Sequence, residues 1–124
     1  MIIIDSSCWV EYFSGTEISK KFINFIHNTI DILIPTIILN EVFKKLIYSV
    51  PEKEALFAIA QMEESKIIDL SRDLALEAAR YSKLYKLPLA DSIIYATAMK
   101  YNSEIYTLDK HFEGLPNVKY FEKK

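Results

Sequence analysis

Glycine, cysteine and histidine are nearly missing from this chain of 124 residues, which has two, one and two of them. The glycines, Gly15 and Gly114, lie far apart. A three-glycine dinucleotide fingerprint, a Walker-type phosphate loop and a G-x-S-x-G nucleophile turn are therefore all excluded. Cys8 stands alone, so the chain can form neither an internal disulfide nor a paired-cysteine metal site. His27 and His111 are too widely separated for an H-E-x-x-H zinc helix. Long apolar runs are lacking as well. The most apolar stretch, residues 30–39, is broken by Asp31 and Pro35, and a membrane span needs roughly 18 apolar residues. The opening Met1-Ile2-Ile3-Ile4-Asp5 has no basic segment and meets an acid at once, unlike a secretory signal. These absences lead us to expect a cytoplasmic protein in a reducing compartment, with no membrane contact. Positive charge is also not in excess: the formal net charge is −2, which by itself argues against a protein that coats nucleic acid.

What is present reads as one globular domain spanning residues 1–124. Hydrophobic residues make up 51% and charged residues 26%. Short apolar runs alternate with helical patterns. Strands are expected at Ile2-Ile3-Ile4, Ile32-Leu33-Ile34, Ile67-Ile68, Ile105-Tyr106 and Val118 to Phe121. Between them, helices are expected over Ser6–Phe13, from Thr16 through Ile26, over 36–48 and 52–64, from Ser71 to about Lys86, and over 88–101. Gly15 is a stop signal, Ser71 a cap, and Pro88 suits a first helical turn. Alternation of this kind predicts an α/β fold with a mainly parallel sheet covered by helices on both faces.

The abundant reactive groups are 17 carboxylates, of which six are Asp. In an open parallel sheet, ligands bind beyond the carboxyl ends of the strands, where the strand order reverses. Asp5 follows the first strand in Ile4-Asp5-Ser6-Ser7 and reads either as a helix cap or as a metal ligand held by Ser6. Asp109 follows the fourth strand in Thr107-Leu108-Asp109 and carries the same two readings. Asp91 lies in Leu87-Pro88-Leu89-Ala90-Asp91-Ser92, at the start of a helix apolar on nearly every side. A carboxylate there costs several kcal/mol unless it is paired or bound to metal. Glu41, in Leu39-Asn40-Glu41, has Lys44 and Lys45 three and four residues on, a spacing that also suits a solvated helix pair. Brought together, such acids would repel one another, and hard divalent ions would neutralise them. Ions of that kind also activate water and stabilise the leaving oxygen of a phosphodiester.

With these residues in view, the chain resembles the PIN-domain ribonucleases of the VapC toxin type. The resemblance is carried by Ile2 to Ser7 leading into Cys8-Trp9-Val10-Glu11-Tyr12-Phe13-Ser14-Gly15, by Leu39-Asn40-Glu41, by Leu87 to Ala98, and by Tyr106 to Phe112. It implies a five-stranded parallel sheet in the order 3-2-1-4-5. It also implies that Asp5, Glu41, Asp91 and Asp109 form a catalytic, metal-binding set for Mg²⁺ or Mn²⁺, with Ser6 and Thr107 orienting carboxylates from behind. The implied substrate is single-stranded or looped RNA, and the implied partners are an antitoxin and a second copy of the chain. In this comparison His111 reads as a capping or packing residue and Glu113 takes no role. Residues 44–64 match no motif and read as a hairpin for contacts.

Two other readings remain. A phosphoacceptor receiver domain would use Asp69 after the third strand, but it also expects an acidic pair after the first, where Ser6 and Ser7 stand. A binding module with an unused nuclease site is the other. Among the eight Tyr and seven Phe, most read as core, and the Lys44-Lys45 pair reads as surface charge or a phosphate contact. The net charge also changes meaning. With the four assigned acids set aside, fifteen Lys and Arg face thirteen acids, a remainder of +2. Weak, salt-sensitive RNA binding that depends on metal is the expectation.

Overall fold

The computed structural model describes residues 1–123. The β-branched runs Ile2–Ile4 (β1) and Ile32–Pro35 (β2) form the sheet centre and are buried along their whole length. Lys66–Ile68 (β3), Glu104–Thr107 (β4) and Val118–Tyr120 (β5) complete it. All pairings are parallel, and the order is β3-β2-β1-β4-β5. Ile3 sits opposite Leu33 on one side and Ile105 on the other. Because the chain leaves β1 towards β2 and later returns beside β1 as β4, the order reverses between β1 and β4. A crevice opens there at the carboxyl ends.

Helices fill the connections: Ser6–Ser14 (α1), Ile23–His27 (α2), Thr36–Leu46 (α3), Glu52–Met62 (α4), Arg72–Tyr85 (α5) and Leu89–Lys100 (α6). Among these, α6 is buried at eight successive residues, Asp91 to Ala98, because α5, α3, β2 and β4 all pack on it. A helix apolar on nearly every side is thus buried, as expected. No helix among the described residues is long and apolar enough to cross a membrane.

The expected helix from Thr16 is where the structure departs most from the pattern. A 3₁₀ turn covers Glu17–Lys21, Phe22 leaves helical geometry at φ −127° and ψ 7°, and only five residues of α2 follow. The Ser19 hydroxyl donates to the Thr16 carbonyl at 2.6 Å and so competes for a backbone acceptor the longer helix would use. The apolar stripe still serves its purpose, since Phe22 and Ile26 are fully buried. Residues 44–64 form the helical hairpin expected of them: the end of α3, a turn, and α4. Asp69 follows an edge strand and is exposed, away from the crevice between β1 and β4, which removes the geometric basis of the receiver reading.

Scarce glycine leaves a mark on the backbone. Gly15 ends α1 in the left-handed region, φ 67°, and its N–H reaches the Tyr12 carbonyl. At the end of α5 the same conformation falls to a lysine, Lys86 at φ 60°. The other end of α5 is capped by Ser71, whose hydroxyl accepts from the Leu74 N–H at 3.1 Å. The two ends of this helix should respond oppositely. Ser71→Ala should cost about 1 kcal/mol by removing the cap. Lys86→Gly should gain roughly 0.5–1 kcal/mol by relieving a strained exposed residue. Urea unfolding midpoints of the two variants check both signs.

Candidate metal centre

Asp5 occupies the cap position of α1, yet its side chain makes no cap bond. It turns inward. Its Oδ2 accepts from the Thr107 hydroxyl at 2.8 Å and from the Ser7 hydroxyl at 2.9 Å. The Asp5 N–H continues the β1–β4 ladder by donating to the Tyr106 carbonyl. Burial pushes this carboxyl above the usual carboxylate range, against the pull of the two hydroxyls.

Thr107 also accepts from the Asp109 N–H at 2.9 Å, so one hydroxyl fixes two acids. Asp109 does cap: its Oδ1 accepts from the His111 N–H at 2.9 Å at the head of a short 3₁₀ turn, Lys110–Phe112. The same residue also lines the crevice. Glu41 accepts from the Ser6 hydroxyl at 3.0 Å, a bond between α3 and α1. Burial and then the charge of Asp5 push Glu41 up, while the Ser6 bond and Lys45 pull it back. Asp91, in the first turn of α6, is 8% exposed. Burial, then the charges of Asp109 and Asp5, raise its carboxyl to about 7, against the pull of His111.

Asp5, Glu41, Asp91 and Asp109 line one open cleft of about 400 Å³, together with Ser6 and Ser7. Ligand atoms of two of these acids, Asp91 and Asp109, and of His111, which is not among the residues lining the cleft, lie within 4.8 Å of one another. Asp5 and Glu41 line the same cleft but fall outside that tight group. His111, expected as a capping or packing residue, stands against two of the acids. Its Nδ1 lies 3.0 Å from Asp109 and 3.3 Å from Asp91, where a cation between two carboxylates would stand. The available signal was the two-residue spacing Asp109-Lys110-His111 directly after a strand, which brings the ring back over the acid that caps the turn. Glu11 lines the cleft too, but it is held by Lys123 at 3.2 Å and by the Thr16 hydroxyl at 2.9 Å. Cys8 is no nucleophile, because burial pushes its thiol up.

The donor set suits a hard divalent ion such as Mg²⁺ or Mn²⁺. It is dominated by carboxylate oxygens, two of them held from behind by Thr107 and Ser6, and its acids disfavour their own charges. Asp5, Glu41, Asp91 and Asp109 could hold such an ion, and the exposed His111 ring lies against Asp91 and Asp109.

These raised carboxyls carry a stability signature. An acid whose folded-state affinity for protons exceeds its unfolded one stabilises the fold below the ordinary carboxylate range. That contribution fades as pH rises through the folded value. Chelator-treated chain should therefore lose thermal stability between about pH 4 and pH 8, the upper part through Asp91 at about 7. Asp91→Asn should flatten that slope. Mg²⁺ should raise the melting temperature more at pH 8 than at pH 5. Calorimetric melting across this range checks all three.

Several solved structures share this architecture. A toxin–antitoxin complex from Klebsiella pneumoniae aligns with a TM-score of 0.81 at 28% identity, over 96% of this chain and 96% of that one. The Mycobacterium tuberculosis toxin VapC20, described as cleaving the sarcin-ricin loop, aligns at 0.78 and 15% identity over 95% and 97%. VapBC2 from Rickettsia felis, bound to a promoter DNA fragment, aligns at 0.76 and 16% identity over 98% and 100%. At those lower identities the likeness is one of fold. No curated protein matches the chain. The sequence pattern of the PIN domain matches residues 2–117, nearly the whole length, and the chain belongs to the PIN domain family.

Proposed function

We propose that this protein is a metal-dependent endoribonuclease and the toxin of a toxin–antitoxin pair. The observation that carries the reading is the gathering of Asp5, Glu41, Asp91 and Asp109 around one cleft at the β1–β4 reversal. The toxin assignment is supported by the Klebsiella complex, similar over nearly the full length of both chains. An antitoxin protein and a second copy of the chain are the expected partners, and an RNA substrate places the work in the cytoplasm.

The reaction is hydrolysis of a phosphodiester: water adds at phosphorus, the bond to the leaving oxygen breaks, and that oxygen takes up a proton. Mg²⁺ or Mn²⁺, when bound, supplies charge neutralisation for the developing oxyanion and a lowered pKa for water. The chain's own residues supply orientation. Thr107 and Ser7 hold the Asp5 carboxylate, Thr107 fixes the Asp109 backbone, and Ser6 holds Glu41. Asp91 is held in place because the helix that carries it is buried from Asp91 to Ala98. Lys45 and Lys123 on the cleft wall offset the acids for an approaching phosphate.

Purified wild type should cleave single-stranded or looped RNA in Mg²⁺ or Mn²⁺ and stop in EDTA. Asp5→Asn and Asp91→Asn should each yield no product above buffer while keeping the wild-type circular dichroism. Thr107→Val should weaken metal affinity by roughly 10–100-fold, as loss of a ligand-orienting bond does. Gel analysis of end-labelled RNA and a metal titration supply the readouts. Unimpaired cleavage by both Asn variants would refute the assignment. RNA binding without cleavage by wild type would favour an unused nuclease site.

A further inference from the structure

A second groove, of about 550 Å³, lies directly beside the acidic cleft, and Ser6, Glu41 and Lys45 line both. The rest of its wall differs in character. Ile37 and Ala90 are apolar, Asn40 offers an amide, Lys44 adds a second cation, and Tyr48 stands at the turn after α3. Tyr48 is 85% exposed, an unusual position for a large ring that nothing in the fold requires there. The groove volume falls in the range of about 300–1,000 Å³ typical of small-ligand sites.

Charge decides what suits it. A polyanion entering the acidic cleft meets repulsion from four carboxylates, and the nearest relief is the lysine pair on the α3 side. Lys45 belongs to both cavities, so a chain of phosphates leaving the cleft on that side passes it and then Lys44. A ring beside two cations is the arrangement by which single-stranded nucleic acid is held: phosphate on the lysines, base on the aromatic face. The furrow of Leu39, Asn40, Phe43, Leu56 and Ile59 adjoins the groove at Asn40 and lacks those charges.

We propose that the groove of Asn40, Lys44, Lys45 and Tyr48 is a nucleotide subsite. It takes the residue of an RNA strand next to the scissile phosphodiester, with its base stacked on Tyr48 and its phosphate on Lys44 and Lys45. The proposal rests on the nuclease reading above and narrows its substrate to RNA with an unpaired base at that position. In a duplex both faces of a base are already covered, and Tyr48 would have nothing to stack on.

Equilibrium binding tests this apart from catalysis. The probe is a fluorescein-labelled, unstructured RNA oligonucleotide in Mg²⁺. It is bound to the full chain carrying Asp91→Asn, so that no cleavage intervenes. Added Tyr48→Ala should raise Kd by roughly 5- to 100-fold, the usual loss for one stacked base, and Tyr48→Phe should restore it. Lys44→Ala should reduce the slope of log Kd against log salt by about 0.7, one released counterion on a single strand. A blunt RNA duplex that pairs every base should be insensitive to Tyr48→Ala. An unchanged Kd for Tyr48→Ala, or no detectable RNA binding, overturns the proposal. So does a loss confined to binding of a purified antitoxin, which would assign the ring to a protein partner. Tyr48-dependent binding in a wild type that cannot cleave would sink the nuclease reading and leave the subsite standing.

Discussion

One hydrogen bond, from the Thr107 hydroxyl to the Asp5 carboxylate, spans 102 positions of sequence, and the rest of the site is arranged around it. It joins the ends of two neighbouring inner strands, β1 and β4, at a group whose charge burial disfavours. Neighbouring bonds extend the same stitch. Ser7 donates to Asp5 while accepting from the Leu108 N–H, and Thr107 accepts from the Asp109 N–H. The first turn of α1 and the end of β4 are thereby locked together through hydroxyls rather than through packing. Each bond made to a buried charge is worth more than its solvent-exposed counterpart, so the corner is stiff where the cleft needs it to be.

The same corner is electrostatically uncomfortable. Asp5, Glu41 and Asp91 all hold their protons more tightly than free carboxyls do, through burial first and mutual repulsion second. A fold selected for stability alone would not keep them there; a fold that presents them to a cation would. His111 answers part of that charge within the chain, and Lys45 and Lys123 answer more at the rim. With Asp5, Glu41, Asp91 and Asp109 set aside, the formal charge of −2 becomes a remainder of +2 over the rest of the chain. Beyond the rim the character turns cationic and aromatic within one side chain, at Lys45, Lys44 and Tyr48.

Much of the architecture was legible in hydrophobic pattern. β1 and β2 read as strands because three successive isoleucines, and Ile-Leu-Ile, suit a strand covered on both faces. The helix α6 read as buried because it is apolar on nearly every side. The region from Thr16 through Ile26 reads as one helix but is not, since the period of its apolar residues says which face is buried but not whether Ser19 will compete for a backbone carbonyl. Glu41 looked like half of a surface pair with Lys44 or Lys45, because that spacing lies within one helix; its partner is Ser6, 35 residues away. His111 looked like a packing residue because its approach to Asp91 depends on where α6 ends up.

By itself the sequence determined the elements, their alternation and the short list of acids that stand beyond strands or inside an apolar helix. These follow from local chemistry: branched side chains, caps, and the cost of an unpaired carboxylate. The tertiary structure decided which acids share a cleft. It brought Asp5, Glu41, Asp91 and Asp109 to one edge and left Asp69 exposed at another. It also placed Tyr48 beside the cleft rather than in the core. The reason is physical: proximity, burial and shared hydroxyls set the behaviour of a carboxylate, and here all three come from parts of the chain far apart in sequence.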